Sequence, residues 1–148
     1  MATHNRLKAL RLMERITRHQ METIGAELSA LRAAQSQLKA QCKQLSAASL
    51  QEAVDSTDDT RPYLPGYLRS VQTQQILWAE EQDRIEEQAL LAEARLLNVF
   101  REAKTKEAVR NRVEQEVELE KERADIAKMD DAGRALFILQ RNAKPSNP

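Results

Sequence analysis

The chain has 148 residues and no net charge, with 23 Lys and Arg against 23 Asp and Glu; 31% of its residues are charged, only 3% are aromatic, and it holds three glycines and four prolines. So few turn formers exclude most β architectures, and the Ala-, Leu-, Glu-, Lys- and Arg-rich remainder reads as long helices. The balanced charge argues against a nucleic-acid binder, which would carry a basic excess.

The first predicted element is a helix over about residues 4–53, a stretch with no Pro and one Gly. The opening Met1-Ala2-Thr3-His4-Asn5-Arg6 leads into no apolar run, so no secretory signal is expected. Residues 1–50 carry eight basic and three acidic side chains. A heptad frame places Met21, Leu28, Gln35, Cys42 and Ser49 at a, and Ile24, Leu31, Leu38 and Leu45 at d. The frame weakens at Glu14 and Thr17. Cys42 is the only cysteine, which excludes an internal disulfide and fits a reducing compartment.

Residues 54–66, with Pro62, Pro65 and Gly66, read as a connecting loop. A second helix is predicted over about residues 67–141, followed by a tail, 142–148, containing Lys144-Pro145-Ser146-Asn147-Pro148. Here Leu68, Gln75, Gln82, Ala89 and Leu96 fall at a, and Val71, Trp78, Ile85, Ala92 and Val99 at d. A helix of that length spans about 110 Å, far more than the ~15 Å radius of a compact domain. No segment offers the ~20 apolar residues of a membrane span.

A 3-4 apolar spacing sustained over both helices predicts an all-α fold: two long helices forming an antiparallel coiled coil, elongated, as a single domain over 1–148. Centring the turn near residue 60, inside the proline-containing loop, sets Ile24 against Leu96, Leu28 against Ala92, Leu31 against Ala89, Cys42 against Trp78 and Glu14 against Lys106, so that large faces small and plus faces minus. A register one heptad shorter, with its turn before Pro62, ranks second. Helix 1 then covers helix 2 only to about residue 116, leaving roughly 25 residues of helix 2, about 37 Å, beyond the paired region.

The residues carry no catalytic constellation. His4 and His19 share no spacing with an acid or a nucleophile, and Cys42 sits on the seam as a small core residue. There is no Gly-rich phosphate loop, no cysteine pair and no His-x-x-x-His. No enzyme, metal or cofactor is expected.

Three surfaces remain. Ile76, Leu77, Leu90, Leu91 and Leu97 form a second apolar stripe at b and c positions, where a free helix pair should be polar. It is covered by a loop that folds back through Leu50, Val54, Tyr63 and Leu64, or it is a partner-binding face, or it self-associates. Residues 101–112 hold five basic and two acidic side chains, and 114–131 hold eight acidic and three basic. These blocks are a solvated face or an electrostatic fit to a partner. Last, Ile126, Met129, Leu136, Phe137, Ile138 and Leu139 have no partner in helix 1. They fray, pack locally or insert into another protein.

The runs Glu93-Ala94-Arg95, Arg101-Glu102-Ala103-Lys104, Glu120-Lys121-Glu122-Arg123 and Lys128-Met129-Asp130-Asp131, with Val71-Gln72-Thr73 near the start of helix 2, resemble the FliJ proteins of the bacterial flagellar export apparatus and their injectisome counterparts of the YscO type. The likeness covers helix 2, and helix 1 only by length and heptads. It implies a non-enzymatic central stalk or adaptor of a type III export apparatus. Such a protein couples a hexameric export ATPase to the membrane export gate protein and assists export chaperones in substrate delivery. It is cytoplasmic, peripheral to the apparatus at the inner membrane, monomeric and not inserted in the membrane. By the Val71-Gln72-Thr73 match the family's gate-contacting positions fall at Ser70, Gln74, Leu77 and Glu81, of which only Leu77 is apolar. The stripe residues Ile76, Leu77, Leu90 and Leu91 are therefore the candidate gate and chaperone face. Arg11 and Arg15, with Met129, Leu136 and Phe137, are the candidate ATPase end. The rival readings are a structural coil that self-associates and a secretion chaperone.

Overall fold

The computed structural model describes residues 2–143; the last residues of the predicted tail lie outside them. The chain is all-helical. Helix α1 spans Ala2–Asp55, 54 residues; a 3-10 turn spans Arg61–Tyr63; helix α2 spans Leu64–Ala143, 80 residues. There is no strand among the described residues.

The connection is shorter than the predicted 54–66 because its prolines start helices instead of stopping them. A proline in a first turn loses only an N–H that has no helical partner there. Pro62 lies in the 3-10 turn and Pro65 in the first turn of α2. Ser56 to Thr60 then make the reversal. The Thr57 N–H donates to Thr60 Oγ1 (2.8 Å), and the Arg61 N–H to the Thr57 carbonyl (2.8 Å). Helix α2 also runs unbroken through Gly133.

The contacts gather into two units. One comprises Arg18–Arg101. Its buried side chains are Gln35 on α1 and Val71, Ile85, Ala89 and Ala92 on α2, with both alanines at 0% exposure. Pairing runs in opposite order along the two helices: Arg95 donates to Glu27 (2.9 Å), Gln35 to Glu86, the Gln82 amide lies 3.9 Å from Cys42 Sγ, and Gln75 donates to Ser46 (2.8 Å).

The other unit joins the residues up to Thr17 to those from Glu102 on. It buries Leu7, Thr17 and Val113. Its order is also opposed: Lys106 Nζ donates to Thr17 Oγ1 (2.7 Å), Arg110 to Glu14 (2.7 Å), Arg11 to Glu114 (3.3 Å) and Thr3 to Glu120 (3.4 Å).

All eight buried side chains among the described residues occupy a or d positions once the heptad frame is extended by sevens to Leu7. The seam hydrogen bonds depart from the expected register by up to about a turn. Cys42 meets Gln82 rather than Trp78, and Glu14 meets Arg110 while Lys106 goes to Thr17. Side-chain size, the position of the turn and a Glu14–Lys106 charge match favoured the other register. The polar seam residues select this one, because it gives Glu14 the forked guanidinium of Arg110 and leaves Thr17 to take the single ammonium of Lys106.

Candidate partner-binding surfaces

The polar groups of each seam are satisfied internally. Fully buried Thr17 donates to the Met13 carbonyl (2.9 Å) and accepts from Lys106. Arg110 Nε lies 2.7 Å from both oxygens of Glu14, and its Nη1 reaches Glu114 at 2.9 Å. Glu14 and then Glu114 hold the Arg110 pKa above its ordinary value; Arg110 and then Arg11 hold Glu114 below the usual carboxylate range. In the other unit Arg32 grips Glu93 and Glu86, each at 2.7 Å. Glu86 is depressed first by the Gln35 amide and second by Arg32, and Arg32 is raised first by Glu93. Among the described residues no buried side-chain nitrogen or oxygen lacks a partner, and no three His, Cys, Asp or Glu gather to hold a metal. These contacts hold helices in register; the groups left for recognition are on the outside.

The outer stripe of α2 is open. Ile76, Leu77, Leu90, Leu91 and Leu97 are all exposed. The connecting segment does not cover them: Leu50, Val54 and Tyr63 are themselves exposed. Asp83 and Arg84 stand in the same two columns one heptad on, so the stripe is two apolar pairs about 21 Å apart with charge between them. Ser70 and Glu81 are engaged locally, Ser70 with the Gly66 carbonyl (3.1 Å) and Glu81 with Arg84 (2.6 Å). Leu77 alone of the four carried-over gate positions offers exposed apolar surface.

The other candidate residues are not one patch. Arg11 is bound to Glu114 and Arg15 is exposed on α1. Met129, Leu136 and Phe137 are exposed on α2, with Met129 about 22 Å along that helix from Glu114. Every described residue from Glu118 onward is exposed, Phe137 at 66%. Leu119, Ile126, Met129, Leu136 and Phe137 nonetheless share one side of the helix, within about 100° on a 3.6-residue period.

The sequence reading missed a further face. Leu12, Met13 and Ile16 on α1 are exposed beside Lys8 and Arg15. Extending the heptad frame back through the weak stretch at Glu14 and Thr17 places these three at f, g and c, off the seam.

No family model matches the chain, and no curated protein and no solved structure is detectably similar to it. No helix among the described residues is long and apolar enough to cross a membrane.

Proposed function

We propose that this chain is an antiparallel two-helix coiled coil serving as the non-enzymatic central stalk or adaptor of a bacterial type III export apparatus, flagellar or injectisome. In this role it acts in the cytoplasm, peripheral to the inner membrane. It couples a hexameric export ATPase to the export gate and assists chaperone and substrate delivery. The observation that carries the reading is the end of α2. From Glu118 to Ala143 it is helical, wholly exposed and apolar along one side. Helices owe most of their stability to packing an apolar face, so this end suits a surrounding partner such as a ring pore. The sequence resemblance to the FliJ and YscO proteins supplies the identity of that partner.

The test is export ATPase activity with the purified chain. The full chain should stimulate assembly and hydrolysis of the ring. Deleting residues 126–148 should abolish stimulation while the remaining chain melts cooperatively as before. Normal stimulation by the truncated chain would place the ATPase contact elsewhere. No stimulation by either would favour the scaffold reading, which the exposed Ile76, Leu77, Leu90 and Leu91 also support.

A further inference from the structure

Two exposed faces of opposite sign have no cover among the described residues. On α2, Glu80 and Glu87 lie in the column between Ile76–Asp83–Leu90 and Leu77–Arg84–Leu91, all within about 100° of the helix circumference. Arg84 is held by Glu81 at 2.6 Å. Glu80, Asp83 and Glu87 are exposed and, among the described residues, in no ion pair. On α1, Lys8 and Arg15 are likewise exposed and unpaired, beside Leu12, Met13 and Ile16.

We propose that the basic apolar face of α1 docks on the acidic apolar stripe of α2 in a second copy of this chain. The spacing matches as well as the sign. Lys8 and Arg15 are one heptad apart on one helix, and Glu80 and Glu87 one heptad apart on the other, about 10 Å in each case. With the two cations on the two glutamates, Ile16 falls within a turn of one apolar pair whichever way the helices run: Leu90 and Leu91 if parallel, Ile76 and Leu77 if antiparallel. Stripe against stripe is the poorer contact, since in register it brings Glu80 and Glu87 of one copy against the same acids of the other. The contact joins unlike faces, so it closes into a pair only where both form at once and otherwise runs head to tail.

Exposed ion pairs contribute little and are screened by salt, so the association is weak and sensitive to ionic strength. It stands on these two faces alone and goes beyond the stalk reading. It competes with that role, because Arg15 and the Leu77–Leu90 stripe are the surfaces the role gives to other partners.

Mass in solution, by sedimentation equilibrium at low salt over a hundredfold concentration range, tests the pairing without any ATPase. The unmodified chain is expected to rise from one copy towards two or more, and to return to one at high salt. A stripe variant, Glu80→Lys with Glu87→Lys, and a face variant, Lys8→Glu with Arg15→Glu, should each stay at single-chain mass. Their equimolar mixture should regain association, because each then offers the sign the other lacks. All four positions are exposed, and unchanged helicity verifies that both variants fold. A single-chain mass for the unmodified protein throughout, variants that associate as it does, or a mixture that stays dissociated each overturns the proposal.

Discussion

The two units solve one packing problem with different materials. Between Arg18 and Arg101 four of the five buried side chains among the described residues are apolar, Val71, Ile85, Ala89 and Ala92, with Gln35 the exception. In the unit of residues up to Thr17 and from Glu102 on, Leu7 and Val113 are the buried apolar side chains among the described residues, and the seam runs through Thr17, Lys106, Glu14 and Arg110. Apolar burial supplies stability but tolerates sliding, since one Leu or Ala layer resembles the next. A guanidinium whose nitrogens must each meet a carboxylate oxygen fits few positions and so fixes register. The comparison teaches that the apolar unit should be costly to truncate, and that the polar unit should be costly to disturb by halves but not as a whole.

The largest expected effect tests the apolar side. Ile85 is buried and sits at a d position of the heptad frame. Ile85→Ala should cost about 2 kcal/mol, the lower end of the range for such truncations because a seam two helices wide can partly close. A denaturant midpoint that does not move would mean that this unit is not held by its apolar layer.

The polar side comes next. Thr17→Val keeps shape but removes the oxygen that accepts from Lys106 at 2.7 Å. We expect a loss of about 1 kcal/mol, a typical net hydrogen-bond contribution. Pairing it with Lys106→Leu should recover that loss, since replacing both polar partners by apolar ones is often neutral or better. If the double variant is the less stable of the two, the polar seam contributes stability as well as register.

Acid should act on both units. Glu86 and Glu114 have folded-state pKa values below their ordinary values. The unfolded chain therefore binds protons more readily at these sites, and their contribution is present above the ordinary glutamate pKa of about 4.3 and lost as the pH falls through and below it. Melting temperature should decline in that acidic window and be flat in this respect above it. Glu86→Gln and Glu114→Gln should each shrink the decline; an unchanged acid limb in both would show that these ion pairs are not what acid breaks.

Between Arg18 and Arg101 which residues lie inside was legible in the sequence; at Leu7 and Thr17 it was not, and which residue meets which was legible in neither. Leu7, Thr17, Gln35, Val71, Ile85, Ala89, Ala92 and Val113 all sit on the heptad frame because burial follows helical period, a local property of each helix. Register is a relation between helices. Reading it from the turn position, side-chain size and seam charge set Cys42 on Trp78, whereas Gln82, Ser46, Gln75 and Arg110 choose their partners by hydrogen bonding. The open stripe was legible at Ile76, Leu77, Leu90 and Leu91, since an apolar side chain off the seam stands out against charged neighbours. The face at Leu12, Met13 and Ile16 was not, because the frame near Glu14 and Thr17 is polar and inside could not be told from outside there.

The smallest effect separates paired helix from unpaired. Gly25 and Gly133 both lie within helices, and a methyl group added at either would meet nothing within 4 Å. Each Gly→Ala change should therefore gain up to about 1 kcal/mol of helix propensity with no steric offset. The same gain should be read differently at the two positions. Gly25 lies in a stretch of α1 that pairs on either side, at Glu27 with Arg95 and at Thr17 with Lys106. Ordering that stretch is coupled to unfolding of the pair, so Gly25→Ala should raise the cooperative midpoint. Gly133 lies in the exposed end of α2, whose helicity is not tied to α1 by any contact beyond Glu120 among the described residues. Gly133→Ala should raise amide-exchange protection around residues 129–137 and leave the cooperative midpoint where it was. A midpoint that rises for Gly133→Ala as much as for Gly25→Ala would show that the end of α2 melts with the paired region, and that something covers its apolar side.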